Sequence, residues 1–94
     1  MSYDLAFLDS ALKEWRALDG AVRDQFKKKL AERLEQPRIA KDRLHGGDGN
    51  RYKIKLRAIG YRLVYEVRDA EVVVLVIAVG RRDGAQVHDS ANRR

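Results

Sequence analysis

The second half of the chain alternates between apolar and polar residues in the way that a β-sheet with one buried face requires. Residues 52–57 read Tyr-Lys-Ile-Lys-Leu-Arg, and residues 61–67 again place Tyr, Leu, Tyr and Val at every second position. Because successive side chains of a strand point to opposite faces, both runs predict half-buried strands. Residues 72–79 are apolar throughout, which predicts a central strand buried on both faces. Short turns at 58–60 and 69–71 join these runs into a predicted antiparallel meander.

Two short helices are predicted before the strands. Apolar residues recur at helical spacing on both sides of Asp19 and Gly20, which interrupt the helical pattern. Pro37 ends the second helix, because the residue before a proline disfavours helical dihedral angles. The residues of the two apolar faces are Ala11, Leu12, Trp15, Leu18, Val22, Phe26, Leu30 and Leu34.

The fold class follows from the order of these elements. Residues 3–8 alternate and predict a short first strand at a sheet edge, whereas the polar residues 84–94 predict a short C-terminal helical segment. The glycine-rich residues 38–51 predict a loop. We therefore expect one α+β domain over residues 1–94, in which two N-terminal helices pack on one face of an antiparallel sheet.

Composition argues against several classes of protein. The chain has no cysteine, and its two histidines lack the cysteine or carboxylate cluster of a metal centre, so we expect neither a metal nor a cofactor. No window approaches the roughly 20 apolar residues of a membrane span, and the N-terminus lacks the pattern of a signal peptide, so we expect a cytoplasmic protein that does not bind membranes. The formal net charge of +6 favours a polyanionic partner such as nucleic acid.

The charged face of the predicted meander is the candidate site. Strict alternation places cations on the face opposite the core, and further arginines follow the central strand. The cations assigned to this region are Lys53, Lys55, Arg57, Arg62, Arg81 and Arg82. Such a cluster is stabilised when it meets phosphates. An ordinary solvated face, on which lysines discourage edge pairing, would show the same pattern.

A cationic face of this kind fits RNA cleavage. The substrate's own 2′-hydroxyl can attack the adjacent phosphate, so the protein has only to align the groups, stabilise the charge and move protons. Lysine and arginine suit the phosphate and its transition state. His88, a few residues after Arg82, and His45, in the loop before Lys53, are the candidates for proton transfer near neutral pH. An inert surface histidine remains the other interpretation of each.

Four segments, in order and at nearly constant spacing, resemble RelE-type toxins of the RelE/ParE superfamily. They are residues 11–16 (ALKEWR), 52–57 (YKIKLR), 60–65 (GYRLVY) and 79–82 (VGRR), and the resemblance runs from about residue 3 to residue 88. It implies a toxin of a type II toxin–antitoxin system, an endoribonuclease that cleaves mRNA in the ribosomal A site without a metal. The implied partners are a RelB-like antitoxin, the 70S ribosome and its mRNA, and operator DNA bound through the antitoxin.

The resemblance also implies roles for individual residues. Lys53 and Lys55 match strand lysines that bind substrate, stabilise the transition state and activate the 2′-hydroxyl. Arg62 matches an arginine that contacts the scissile phosphate, and Arg82 matches one that protonates or stabilises the leaving oxygen. His88 stands where the family has a tyrosine, and we expect it to accept the proton of the 2′-hydroxyl, since the pKa of imidazole is about 6.5.

Three further residues are expected to bind substrate. His45 stands where the family has a loop arginine, while Arg57 and Arg81 border the cationic strands. Two other functions remain open. A ParE-like toxin that binds and inhibits DNA gyrase without catalysis would share the fold but would not need the catalytic set, and a plain nucleic-acid-binding module would share the charge.

Overall fold

Two helices lie on one face of a four-stranded sheet in the computed structural model, which describes residues 2–45 and 49–81. The elements are β1 Asp4–Phe7, α1 Asp9–Arg16, α2 Gly20–Glu35, β2 Arg51–Leu56, β3 Tyr61–Arg68 and β4 Val73–Arg81, with a 3-10 turn, Ala40–Asp42, between α2 and β2. The predicted helices and strands are confirmed, with bounds that differ by one or two residues. The predicted C-terminal helical segment lies outside the described residues.

The strand order is β1-β4-β3-β2. β2 pairs with β3 and β3 with β4 in antiparallel fashion, and β1 lies at the edge beside β4, which confirms the predicted meander and the edge position of the first strand. The sheet is mixed rather than wholly antiparallel, because β1 runs parallel to β4, with Asp4 opposite Val73. A parallel neighbour needs a long crossover, and the two helices between β1 and the meander give the chain the length to make it.

The main core lies between the helices and the sheet. Val22, Phe26 and Leu30 of α2 are buried, as their spacing of four predicts. Trp15 lies between Phe7 and Phe26, with ring centroids 5.3 and 6.2 Å apart, so its predicted packing role is confirmed. The sheet contributes Tyr52, Ile54, Leu56, Leu63, Tyr65, Val67, Val74, Val76 and Val79.

β4 is buried on its other face as well. Val64, Leu75, Ile77 and Ala78 form a second apolar cluster there, which confirms the prediction for the apolar run. A β-bulge accompanies it, since Val64 pairs with Ala78 and the next residue, Tyr65, pairs with Val76.

No helix in the described ranges has the length and apolar character needed to cross a membrane.

Candidate active site

Lys53, Lys55 and Arg62 share the sheet face that points away from the helices. Lys55 lies directly opposite Arg62 in the β2–β3 ladder, and Lys53 lies opposite Val64. The β2 residues between the two lysines and on either side of them are buried in the helix-side core. Opposed side chains of an antiparallel pair have Cβ atoms about 4.5–5.5 Å apart. The structure therefore brings together three of the residues predicted to be catalytic.

Two residues of the sheet lie beside this cluster on the same face. Gly80 of β4 lies opposite Arg62 and adds no side chain at that position. Glu66 of β3 lies on the same face, but its carboxylate contacts Arg51 at 3.4 Å and Arg68 at 2.8 Å. This carboxylate is therefore already paired with two arginines. A positive surface of this kind attracts a phosphate group.

Neighbouring charges lower the pKa of Lys55. The largest effect is the positive charge of Lys53, followed by partial loss of hydration, the charge of Arg62, a hydrogen bond with Lys53 and the charge of Arg57. Each of these disfavours the protonated amine. At a given pH, a larger fraction of Lys55 is neutral than for a lysine in water, and a neutral amine can accept a proton.

Arg57 and Arg81 lie in different places relative to this cluster. Arg57 follows the end of β2, is exposed, and is close enough to Lys55 for its charge to contribute to the lowered pKa. Arg81 lies opposite Tyr61, with its guanidinium carbon 5.9 Å from the ring centroid. Tyr61 packs against the helix-side core. Alternation along β4 therefore turns Arg81 to the helix side, and the structure does not bring it together with Arg62.

The remaining predicted site residues lie elsewhere or outside the described ranges. His45 is exposed, and together with Tyr52 it lines a cavity of about 570 Å³ near the start of β2. The structure does not bring it together with the lysine–arginine cluster. Arg82 and His88 lie outside the described residues, so their roles stay predictions.

Arg33 of α2 is a site residue that sequence reasoning missed. Its Nη1 donates to the Tyr65 hydroxyl at 2.9 Å and to the backbone carbonyl of Lys53 at 3.3 Å, while its Nη2 pairs with Asp42 at 2.5 Å. The Tyr65 hydroxyl donates in turn to the carbonyl of Pro37 at 2.6 Å. Arg33 thus ties the backbone of Lys53 to α2 and to the 3-10 turn. In the sequence it is one of many charges on α2, and no signal distinguishes it from its neighbours.

A second polar cluster holds the ends of the loop before β2. Asp69 accepts a hydrogen bond from the Tyr3 hydroxyl at 2.6 Å and one from Arg38 at 2.6 Å, and Arg38 also donates to the side chain of Asn50 at 2.9 Å. These contacts lower the pKa of Asp69, with the Tyr3 hydrogen bond as the largest cause and the Arg38 hydrogen bond next. The cluster therefore joins the N-terminal segment, both ends of the loop and the β3–β4 turn.

The described side chains indicate part of the chemistry that the site can perform. Among residues 2–45 and 49–81, no group of three or more histidine, aspartate or glutamate side chains could hold a metal ion. The amines and guanidinium of the cluster can bind a phosphate and stabilise negative charge. Lys55 can also accept a proton.

Comparison with known proteins identifies the family of this chain. A family model described as "ParE toxin of type II toxin-antitoxin system, parDE" matches residues 5–85. The chain is also 54% identical over 94 residues to the protein named mRNA interferase toxin RelE from Escherichia coli strain K12. This alignment covers 100% of this chain and 98% of the relative. The chain belongs to the RelE/ParE family of toxins.

Solved structures of RelE agree with this membership. The free state of an E. coli RelE mutant is 53% identical, with a TM-score of 0.91 and coverage of 100% of this chain and 98% of that one. A complex of the same mutant with a peptide of the antitoxin RelB is 54% identical, with a TM-score of 0.84 and coverage of 97% and 95%. The predicted α+β fold of the RelE/ParE family is thereby confirmed.

Proposed function

We propose that this RelE/ParE-family toxin is an mRNA interferase, an endoribonuclease that cleaves mRNA in the ribosomal A site. The observation that carries the proposal is the grouping of Lys53, Lys55 and Arg62 on one sheet face, with the pKa of Lys55 lowered. Sequence identity of 54% to a protein named mRNA interferase toxin RelE supports the same activity. A toxin that only bound gyrase would not need this grouping of lysines and arginine.

The proposed reaction uses the substrate's own nucleophile and no metal. Arg62 binds the scissile phosphate, and neutral Lys55 accepts the proton of the 2′-hydroxyl as its oxygen attacks the phosphorus. The new bond joins the 2′-oxygen to phosphorus, the bond from phosphorus to the 5′-oxygen breaks, and the products are a 2′,3′-cyclic phosphate and a 5′-hydroxyl. Lys53 stabilises the charge that develops on the phosphate oxygens. Arg82 stabilises the negative charge on the leaving 5′-oxygen, which takes up a proton from water to become the 5′-hydroxyl.

Lys55 and His88 compete for the role of proton acceptor, and the pH profile separates them. Lys55 is favoured by its lowered pKa and by its position opposite Arg62. If Lys55 accepts the proton, single-turnover cleavage continues to accelerate above about pH 7. If His88 does, the rate becomes constant above the imidazole pKa of about 6.5. In the second case, His88→Gln also removes the pH dependence, whereas Lys55→Met leaves it.

The proposed partners follow from the family and from the charge. A RelB-like antitoxin would neutralise the toxin by covering the cationic face, and the toxin–antitoxin complex would bind operator DNA through the antitoxin. The solved complex of intact E. coli RelB and RelE, 57% identical in its toxin chain and with a TM-score of 0.82, supports an antitoxin of this type. A formal net charge of +6 favours association with ribosomal RNA and mRNA.

Expression of the toxin without its antitoxin tests the proposal. We expect arrested translation and transcripts cut within reading frames, with Arg62→Ala as the inactive control. Ends of transcripts are mapped in cells, and cleavage is repeated with purified protein on ribosomes programmed with a defined mRNA. Intact transcripts together with inhibited supercoiling by gyrase would contradict the proposal and establish the ParE-like function.

A further inference from the structure

A cavity of about 590 Å³ lies beside the edge strand of the site. It is bounded by α2, the 3-10 turn and the outer edge of β2, and we name it the α2–β2 groove. The residues that line it are Gln25, Lys29, Glu32, Arg33, Ile39, Lys41, Asp42, Ile54, Lys55, Leu56, Arg57 and Ala58. Nothing in the proposed cleavage step uses the part of this groove that α2 and the 3-10 turn form.

The groove carries an excess of positive charge. Five of its lining residues are cations and two are carboxylates. Arg33 and Asp42 pair with each other, and Arg33 also holds the backbone of Lys53. The remaining cations face a single remaining carboxylate, Glu32. Both Lys29 and Lys41 are exposed, so their ammonium groups can reach a ligand that enters from solvent.

The groove is continuous with the candidate active site. Lys55 lies on the cationic face opposite Arg62 and also lines the groove, and Arg57, whose charge acts on Lys55, lines it as well. β2 is the edge strand on the side of the sheet opposite β1. A nucleic-acid strand held at Arg62 can therefore leave the face across β2 and meet further cations at once.

We propose that the α2–β2 groove binds the mRNA strand downstream of the cleaved bond, through phosphate contacts of Lys29, Lys41 and Arg57. The inference rests on the proposed function, since the strand in the groove is the one that is cleaved. A positively charged groove that follows the backbone is the usual means of holding a single strand without reading its sequence. The downstream side is the available one, because nucleotides upstream of an A-site codon are held by pairing in the P site.

Binding to ribosomes programmed with an uncleavable mRNA tests the groove. The mRNA carries a 2′-deoxyribose at the cleaved position, and it either extends well beyond the A-site codon or ends directly after it. Affinity of labelled protein is measured against salt concentration for wild type, for the groove variant Lys29→Gln/Lys41→Gln and for the control variant Lys13→Gln/Lys28→Gln. The two variants lose the same charge from exposed helix and turn positions, and the control residues do not line the groove.

On the long mRNA, we expect the groove variant to bind roughly fivefold more weakly per lysine than the control at low salt. Its salt dependence should also be shallower, with the slope of log affinity against log salt reduced by about 0.7 per lysine. On the short mRNA the two variants should bind alike. At saturating ribosomes, the cleavage rate of an all-ribose mRNA should be unchanged in the groove variant.

Other outcomes overturn the inference. Equal binding of both variants to the long mRNA contradicts it, and a deficit that persists on the short mRNA assigns the groove to ribosomal RNA or protein instead. Wild-type cleavage in parallel distinguishes the two proposals. If the wild type cleaves but the two variants bind the long mRNA equally, only the groove proposal is contradicted. If the groove variant binds more weakly but the wild type does not cleave, only the proposed reaction is contradicted. Absence of wild-type binding to programmed ribosomes contradicts both.

Discussion

Lys55 owes its lowered pKa to its neighbours more than to burial. The charge of Lys53 is the largest cause, and the charges of Arg62 and Arg57 add to it. Charges at the protein surface can be changed one at a time without disturbing the core, and salt screens them. In the proposed reaction, Lys53 can therefore set the protonation of Lys55 although Lys53 itself accepts no proton. We expect the two lysines to have separable effects on the cleavage rate.

Replacing Lys53 by methionine should move the pH dependence of cleavage to higher pH. The change removes the main charge that lowers the pKa of Lys55, so this pKa rises towards its usual value and less neutral amine is present at neutral pH. Single-turnover rates on programmed ribosomes, measured from about pH 6 to pH 9, report the shift. Lys28→Met is the matched control. An equal loss of rate at every pH would show that Lys53 acts only on the phosphate.

Replacing Arg62 by alanine should abolish most of the activity while leaving the fold intact. Loss of one preorganised group that stabilises the transition state costs about 100- to 1000-fold in rate. Lys13→Ala, on the exposed side of α1, removes the same charge and should cleave at the wild-type rate. The comparison uses single-turnover cleavage, with circular dichroism to check folding. Equal activity of the two variants would reduce the cationic face to a solvated surface.

Between elements, the connection from α2 to β2 determines where the lysines lie. Arg33 reaches from α2 to the carbonyl of Lys53 and to the hydroxyl of Tyr65, and Tyr65 completes the link by donating to Pro37. Burial raises the pKa of Tyr65, so the hydroxyl stays protonated and keeps its donor. The edge strand is thus supported from the helix layer by hydrogen bonds to its own backbone.

Tyr65→Phe should destabilise the protein by about 1–3 kcal/mol, because the carbonyl of Pro37 loses its buried donor. The ring stays in place, so the packing of the core is retained. Urea unfolding followed by circular dichroism measures the loss. Tyr61→Phe, at a partly exposed tyrosine of the same strand, is the control and should change stability less. If both variants unfold at the same urea concentration, the bridge through Tyr65 contributes nothing.

Sequence periodicity predicted the elements but not every relation between them. Alternation along β2 and β3 is sufficient to place Lys53, Lys55 and Arg62 on one face, since side-chain direction repeats every two residues. The position of Arg81 depends on the bulge beside Tyr65, which changes the register between β3 and β4 and has no local signature in the sequence. The parallel pairing of β1 and the bridge made by Arg33 are long-range contacts, which no local pattern encodes.

Across the whole molecule, the Asp69 cluster joins parts of the chain that are far apart in sequence. Its carboxylate binds Tyr3 near the N-terminus and Arg38 after α2, and these bonds lower its pKa below the usual value of 3.8. A carboxylate whose pKa is lower in the folded than in the unfolded state stabilises the fold above its unfolded pKa. That stabilisation disappears as the pH falls through the folded pKa, because the carboxyl group is then protonated in both the folded and the unfolded state.

Asp69→Asn should lower the melting temperature at neutral pH and reduce the dependence of stability on acid pH. The amide lacks the charge that binds Arg38, and the wild type loses this charge too once the pH falls below the folded pKa of Asp69, so the two proteins should converge there. Thermal unfolding between about pH 2 and pH 7 follows the difference. Asp24→Asn, at an exposed residue of α2, is the control. A difference that stays constant over this range would assign the effect of Asp69 to something other than its charge.

The parallel pairing of β1 with β4 has a consequence for folding during synthesis of the protein. Asp4 pairs with Val73, so β1 has to wait for a strand that is synthesised 69 residues later. Contacts between such distant segments form slowly, because closing the loop costs chain entropy before any contact offsets it. Translation adds about 5–20 residues each second, so β1 stays unpaired for several seconds. The complete β-sheet, with β1 at its edge, can therefore form only after β4 has left the ribosome.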